Sequence, residues 1–318
     1  MHRTPTILAL LAVLAAGCKE GGDSDGGDGD AGPGDAPDGG GTGYPDPRDD
    51  LVAAVGSAGS LDIATWNIEN FPRTVDTPRI MADLITSLDL DLVGVVEIAS
   101  VDHWDELLAR LPHHEGILSS HAYGDGSYQK VGFLYRKDLM TVDGGALLFD
   151  DQGFDFPRPP MQVQVHVDDG VHTPVDFLAI VLHLKAGPDD ENRARRRDAM
   201  ITLEAHMRDV VDAGDEDEII VMGDFNEELE TDTNREVWAP FLDAPADYAV
   251  RTDPLSGGPS SYTYVPNERF YDHFITTAGL EGEMSASAPT IIHLEQQLST
   301  YLSTVSDHVP VAVSMPIF

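Results

Sequence analysis

Short apolar runs, most of them closing on a polar or charged side chain, recur from residue 61 to the C-terminus. Leu61 to Trp66, Leu92 to Ile98, Val131 to Tyr135, Met161 to Val167, Val175 to His183, Ile219 to Met222, Phe270 to Thr276 and Val309 to Met315 have strand length. The Leu92 run is apolar almost without interruption, as expected of a strand covered on both faces. Two segments carry helical signals instead. Thr77 to Leu88 is predicted to start with Thr77 as N-cap and Pro78 in the first turn, and Glu191 to Val211 repeats Met200, Leu203, Met207 and Val210 at helical spacing. There is no internal repeat. Strands dominate, with helices inserted at long intervals, which predicts one α/β domain of two packed sheets covered by helices and not a doubly wound parallel sheet.

The N-terminal segment follows different rules. His2 and Arg3, the apolar stretch from Thr6 to Ala16 and then Gly17-Cys18 have the basic start, short apolar core and small-residue exit of an export signal, and the stretch is too short to span a bilayer. Leu14-Ala15-Ala16-Gly17-Cys18 resembles a bacterial lipobox, which would make the Cys18 thiol an acylation site; a plain secretory signal with an incidental cysteine is the alternative. No second cysteine exists, so the chain has no intrachain disulfide. From Glu20 to about Asp50 the chain is Gly, Asp, Pro and Ala with almost nothing to bury, which reads as a self-repelling tether. The expected organisation is a lipoprotein-type signal over 1–18, a tether over 19–58 and a folded domain over 59–318. Such a protein would be exported and held by its lipid anchor to a membrane, facing the periplasm or the cell exterior.

Charge narrows the partners. The 318 residues carry a net charge of -37 with 42% hydrophobic content. Residues 51–318 hold 16 basic against 46 acidic side chains, so the folded part itself stands at -30. That surface repels polyanions and argues against tight nonspecific nucleic-acid binding. A divalent cation could still neutralise phosphate locally.

The polar residues at the run ends are the candidate chemistry. Asn67 follows Ala64-Thr65-Trp66, Glu97 follows Gly94-Val95-Val96, and His183 follows Val181-Leu182; Asp224 and Asn226 follow Met222-Gly223, Asp272 lies in Tyr271-Asp272-His273, and Asp307-His308 stand in Ser306-Asp307-His308-Val309-Pro310. Two residues apart at the rim of a buried strand, Asp224 and Asn226 are expected to point the same way. Buried polar groups in such places are costly unless paired or bound to a cation, so the set invites one shared site.

In their order, Trp-Asn-Ile-Glu-Asn, Val-Val-Glu-Ile, Leu-His-Leu-Lys, Gly-Asp-Phe-Asn, Tyr-Asp-His and Ser-Asp-His-Val-Pro resemble the endonuclease/exonuclease/phosphatase family, the deoxyribonuclease-I-like phosphoesterases, over Leu61 to Phe318. The resemblance implies a four-layer α/β/β/α sandwich of two mixed sheets flanked by helices. It implies Mg²⁺, with Mn²⁺ or Ca²⁺ as substitutes, held chiefly by Glu97 with Asn67 and Asp307 nearby. Asp224 and Asn226 would orient the attacking water and a phosphate oxygen, and Asn67 would also face the substrate. His308, braced by Asp272, would handle protons or stabilise the transition state. His183 would be the second imidazole at the scissile phosphate, and Arg158 in Phe156-Pro157-Arg158-Pro159 would grip phosphate oxygens. No acidic partner for His183 is identifiable around Ser127-Tyr128-Gln129-Lys130.

Glu69 and Asn70 read as structural hydrogen-bonding residues, Lys185 as either a substrate contact or a solvated loop lysine, and Arg195-Arg196-Arg197 as a solvated face paired with nearby acids. Tyr262 and Tyr264 either line the groove or pack; His103, His113 and His114 read as ordinary histidines. The expected activity is metal-dependent phosphodiester hydrolysis by a monomer, most simply of nucleic acid. A phosphatase or phosphodiesterase acting on a lipid headgroup or inositol phosphate is the first alternative, and a non-catalytic surface-binding module on the same scaffold the second.

Overall fold

A computed structural model describes residues 43–284 and 287–316. Cys18, the expected signal over 1–18 and most of the expected tether lie outside the described residues. Among the described residues, twelve strands form two six-stranded sheets. The first sheet has the order β11 (Thr290–Ile291), β12 (Val311–Pro316), β1 (Ser60–Phe71), β2 (Leu92–Ile98), β4 (Lys130–Arg136) and β3 (His114–Leu118). The second runs β5 (Met140–Leu147), β6 (Met161–Val167), β7 (Val175–His183), β8 (Ile219–Asp224), β10 (Asp272–Thr277) and β9 (Tyr248–Val250).

Three apolar cores define four layers. Ile63, Val96 and Phe133 from the first sheet meet Val163, Ala179, Met222 and Phe274 from the second in a central core between the sheets. Trp66, Val95 and Leu134, on the opposite side of the first sheet, pack on α1 (Thr77–Leu88) and α2 (Val101–Arg110). Ile180, Leu182 and Val221, on the outside of the second, pack on α3 (Asp190–Ala213) and α4 (Asp232–Leu242) through Met200, Leu203, Trp238 and Phe241. Alternation along β1, β2, β7 and β8 therefore feeds two cores at once, which is why these runs read as continuously apolar, whereas β6 feeds the central core alone and alternates with Gln162, Gln164 and His166. The α/β/β/α sandwich is as expected.

Each sheet contains one parallel pair, β1 with β2 and β7 with β8, and is otherwise antiparallel. The carboxyl ends of those four strands open on one rim. At Gly94 the sheets approach so closely that a Cβ would stand 2.6 Å from the Met222 sulfur.

Element boundaries shift where tertiary context outweighs local signals. Helix α1 has Asp76 at its N-cap, without a side-chain cap; Thr77 is already helical and spends its hydroxyl on the Thr304 carbonyl at 2.7 Å. The expected tether end at residue 58 is also displaced. Arg48 N–H donates to Asp83, Leu51 N–H to Ser87, and Val55 N–H to the Leu88 carbonyl, while Leu51, Val52 and Val55 pack beside α1. Those three apolar residues give the segment something to bury, so the packed domain begins before residue 59. The helices α2 and α4 and the edge strands β3, β5 and β9 add to the expected elements.

Candidate active site

The rim where the parallel strands end gathers the expected residues. In the second sheet Asp224 is the register partner of His183 on β7 and of Asp272 on β10, so three functional positions share one row. In the first sheet Asn67 pairs with Val96, next to Glu97. Ser306 ties the last block in: its hydroxyl donates to the Asn67 carbonyl at 2.7 Å and accepts the His308 N–H at 3.0 Å. A cleft of about 810 Å³ is lined by Glu69, Glu97, His183, Asp224, Asn226, Asp307 and His308 among others.

Backbone shape sharpens the site. Gly223 has φ 144, and a Cβ there would lie 2.0 Å from the Leu182 carbonyl, so only glycine lets β8 deliver Asp224 against β7. Glu69, Asn70, Glu97 and Asn226 hold positive φ of 30, 47, 67 and 51. Non-glycine residues in that region are uncommon, and four around one cleft mark a backbone bent to aim side chains. Asn226 illustrates a change from the expected strand alternation. The strand stops at Asp224, and Asn226 converges with it through a turn in which its own N–H donates to Asp224 Oδ1 at 2.8 Å.

Asp224 sits at the centre. Its Oδ2 accepts from Asn67 Nδ2 at 3.0 Å and lies 3.5 Å from His183 Nε2 and 3.9 Å from His308 Nε2. Burial pushes its carboxyl pKa up, and the Asp272 charge adds to this, against the His308 charge and the Asn67 and Asn226 hydrogen bonds. The imidazoles are driven apart. Burial pushes His183 well below its ordinary range, helped by the positive Arg158 and His308, so it stays neutral. Burial also acts to lower His308, but the Asp272 charge and a 2.7 Å bond from His308 Nδ1, with Asp224 and Asp307 behind them, outweigh it and hold His308 up at about 10. One imidazole is neutral and the other cationic, the division that general acid–base chemistry requires.

Glu97 heads the acidic side. Its Oε1 accepts from Asn67 Nδ2 at 3.2 Å and its Oε2 from the Asn70 N–H at 3.0 Å and Gln129 at 3.3 Å. His183 Nε2 is 3.8 Å away, and His183 Nδ1 has no hydrogen-bond partner among the described residues. Asp307 N–H donates to Glu69, whose carboxylate also meets Arg73. Burial raises the Asp307 carboxyl to about 6; the His308 cation opposes this, and the charges of Glu69 and Glu97 add to it.

Asn67, expected near the metal, is hydrogen-bonded within the site through both ends of its carboxamide. Its Oδ1 accepts the Glu69 N–H at 3.0 Å, and its Nδ2 faces the carboxylates of Glu97 and Asp224. It bridges the two acids as a donor, while its oxygen accepts one N–H of the turn after β1 and retains a second lone pair. Arg158 stands beside His183 with NH2 donating to the Leu184 carbonyl at 2.7 Å and Nε unpartnered. Tyr264 lines the cleft 5.0 Å from the His308 ring, whereas Tyr262 donates to Glu295. The Arg195-Arg196-Arg197 cluster is not one solvated face. Arg196 is 2% exposed and pairs with Glu227, a residue the sequence reading passed over. The adjacency of Glu227 to Asn226 was the available signal.

A metal has hard oxygens to meet here. Asp224, Asp272 and His308 each place one ligand atom within 4.8 Å of the others. His308 Nδ1 is committed to Asp272, however, and the imidazolium would repel a cation. Glu97 with the neighbouring Asp307 and Glu69 fits a hard dication better, since these carboxylates crowd together and raise one another's demand for positive charge, against the partial counter-charge of His308 and Arg73.

Residues 64–308 match the model of the Endonuclease/Exonuclease/phosphatase family. The chain belongs to that family. It is accordingly a hydrolase of the phosphoesterase type. It is 28% identical over 187 residues to a deoxyribonuclease from Thioalkalivibrio sp. (strain K90mix), a match covering 55% of this chain and about half (49%) of that protein's length. It is 24% identical over 287 residues to Deoxyribonuclease-1-like 2 of Mus musculus, covering 86% of this chain and 98% of the relative. Among solved structures, D. rerio TDP2 complexed with single-strand DNA product superposes with a TM-score of 0.57 at 14% identity, covering 81% of this chain and 99% of that one.

Proposed function

We propose that this member of the family is a divalent-metal-dependent phosphodiesterase, using Mg²⁺ and cleaving DNA, exported and held to a membrane through an acylated Cys18. The observation that carries the reading is the placement of Asp224 between a neutral His183 and a cationic His308, with Asn67 bridging it to Glu97. The deoxyribonuclease relatives support DNA as the substrate; the anchor rests on the sequence around Cys18.

Glu97, with Asp307 and Glu69 beside it, would hold the cation, which when bound would neutralise a phosphoryl oxygen and favour in-line attack. Asp224 is the group to orient the attacking water and accept its proton: it is buried, central, and its raised pKa brings it towards the working pH. Asn226 offers a carboxamide to the same water or to a phosphate oxygen. His308, positive and fixed by Asp272, donates a charge-assisted hydrogen bond where negative charge grows. His183 approaches the phosphate as a neutral imidazole, and Arg158 can turn its free N–H towards it.

The test is incubation of the full chain with supercoiled plasmid, with Mg²⁺ and with a chelator. Nicking that needs the metal and disappears in Asp224→Asn is expected. Inert plasmid, RNA and bis(4-nitrophenyl) phosphate in the presence of Mg²⁺, Mn²⁺ or Ca²⁺ would refute the reading. A competing substrate is a lipid headgroup or inositol phosphate; the -30 charge of residues 51–318 favours a zwitterionic headgroup over polyanionic DNA. Turnover of sphingomyelin or an inositol phosphate with DNA left intact would select it. A purely binding role is disfavoured by the intact acid–base set.

A further inference from the structure

Arg196 and Glu227 belong to neither the acid–base set nor the acidic cluster, yet they are 2% and 3% exposed at the wall of the same cleft. Arg196 projects from the first turns of α3. Its Nε and NH2 both reach Glu227 Oε2, at 2.8 and 2.7 Å, and its NH1 donates to the carbonyls of Lys185 and Gly187, at 2.8 and 2.9 Å. Glu227 Oε1 is occupied by Asn234 of α4, and the Glu227 carbonyl accepts from His273 at 3.1 Å. The guanidinium is thus spent on fixed protein groups, its charge matched by one carboxylate.

What it joins is informative. Lys185 to Gly187 is the loop that leaves β7 directly after His183, and Glu227 follows Asn226 directly after β8. We infer that Arg196 is a positioning residue: the β7–β8 pairing and the Leu184 N–H bond to the Asp224 carbonyl at 2.9 Å set the inner ends of the two loops, and Arg196 with Glu227 locks their outer ends together and so fixes the distance between His183 and the Asn226 turn. The inference rests on the proposed hydrolysis only for the meaning of that distance. A second grip on the first loop comes from inside the site, where Arg158 and Asn226 both donate to the Leu184 carbonyl, at 2.7 and 3.2 Å. Neither reaches residues 185–187, so the outer half of the loop depends on Arg196. Buried fork-shaped pairing of this kind suits arginine and not lysine, because only the planar guanidinium serves three acceptors in fixed directions.

Removing Arg196 alone strands a buried carboxylate and risks unfolding, so the informative variant is Arg196→Met/Glu227→Gln, which leaves no buried charge and keeps an acceptor for Asn234. In the full chain this double variant should fold but lose about 100-fold in kcat on a phosphodiester, with KM and the pH limbs nearly unchanged, because misplacement by an ångström costs that much. Arg196→Lys, which keeps the charge but reaches one loop, should fall between. Amide hydrogen exchange should quicken at residues 184–187 and 225–228 and not elsewhere.

Undiminished kcat in the double variant would overturn the inference, as would a raised KM with kcat preserved, which would make Arg196 a substrate contact. A loss tracking only the unfolded fraction would reduce the pair to stability. If the wild-type chain turns over no phosphodiester, the proposed hydrolysis fails and the exchange pattern decides this point alone: local quickening sustains it, and a uniform or absent change rejects it.

Discussion

At the scale of single residues, the site is a set of opposed demands on protons. Asp272 and His308 are the clearest case, since a buried imidazole left alone would lose its charge. Asp272→Asn removes the charge and weakens the bond that hold His308 up at about 10, leaving burial unopposed. The folded pKa therefore falls, and the proton needed on His308 is lost at lower pH. We expect the alkaline limb of kcat/KM to move to lower pH in Asp272→Asn, with a rate reduced even at its optimum; an alkaline limb identical to wild type would place the essential proton elsewhere. Glu97 predicts a metal-centred outcome instead. Glu97→Gln should keep the fold while weakening the Mg²⁺-induced rise in melting temperature and cutting activity by about 100-fold, partly recovered at higher Mg²⁺.

At the scale of elements, the strand ends do the positioning, and Gly223 is where β8 is most exposed to failure. Gly223→Ala would put a methyl on the Leu182 carbonyl and demand a φ of 144 from an L residue. A cost of about 1–3 kcal/mol is expected, together with loss of activity from a displaced Asp224, read by thermal melting and by turnover at a temperature where the variant remains folded. The same elements show how far the chain could be read by eye. Six site blocks were legible because each sits where an apolar run ends, and a buried polar group at such a place needs a partner. The strands β1, β2, β7 and β8 were legible because both of their faces are covered. Helix α2 was not, since among Val101 to Arg110 only Trp104 and Leu107 are fully buried, nor was β5, whose residues alternate between exposed and half-buried at a sheet edge. Arg196 was misread for a physical reason. Three consecutive arginines on a helix point in three directions, and only the fold reveals which one faces Glu227, 31 positions away in the chain.

At the scale of the whole molecule, the balance of charge sets both stability and encounter. Asp91 is an indicator far from the cleft. Burial raises its carboxyl to about 7, although the Asp62 N–H and Arg136 pull the other way. A carboxyl raised in the fold above its unfolded value stabilises below the unfolded pKa, and that contribution is lost as pH rises towards 7. Between about pH 4 and pH 7 the wild type should therefore lose melting temperature relative to Asp91→Asn; parallel profiles would assign any decline to other acids, Glu218 first, also raised to about 7. The same excess of acid governs how substrate arrives. If DNA is the substrate, the -30 over residues 51–318 would repel it until it reaches the cleft, where His308 and a bound dication would answer its phosphates. Adding monovalent salt from about 20 to 150 mM shortens the screening length from roughly 20 to 8 Å, which weakens the long-range repulsion more than contacts inside a half-buried cleft. KM for DNA should therefore fall over that range at fixed Mg²⁺, the reverse of a nuclease that recruits DNA through a basic face, while KM for a zwitterionic diester such as sphingomyelin stays level. A KM for DNA that climbs with salt would mean that local cation contacts dominate the encounter and that the acidic surface lies away from the approach path.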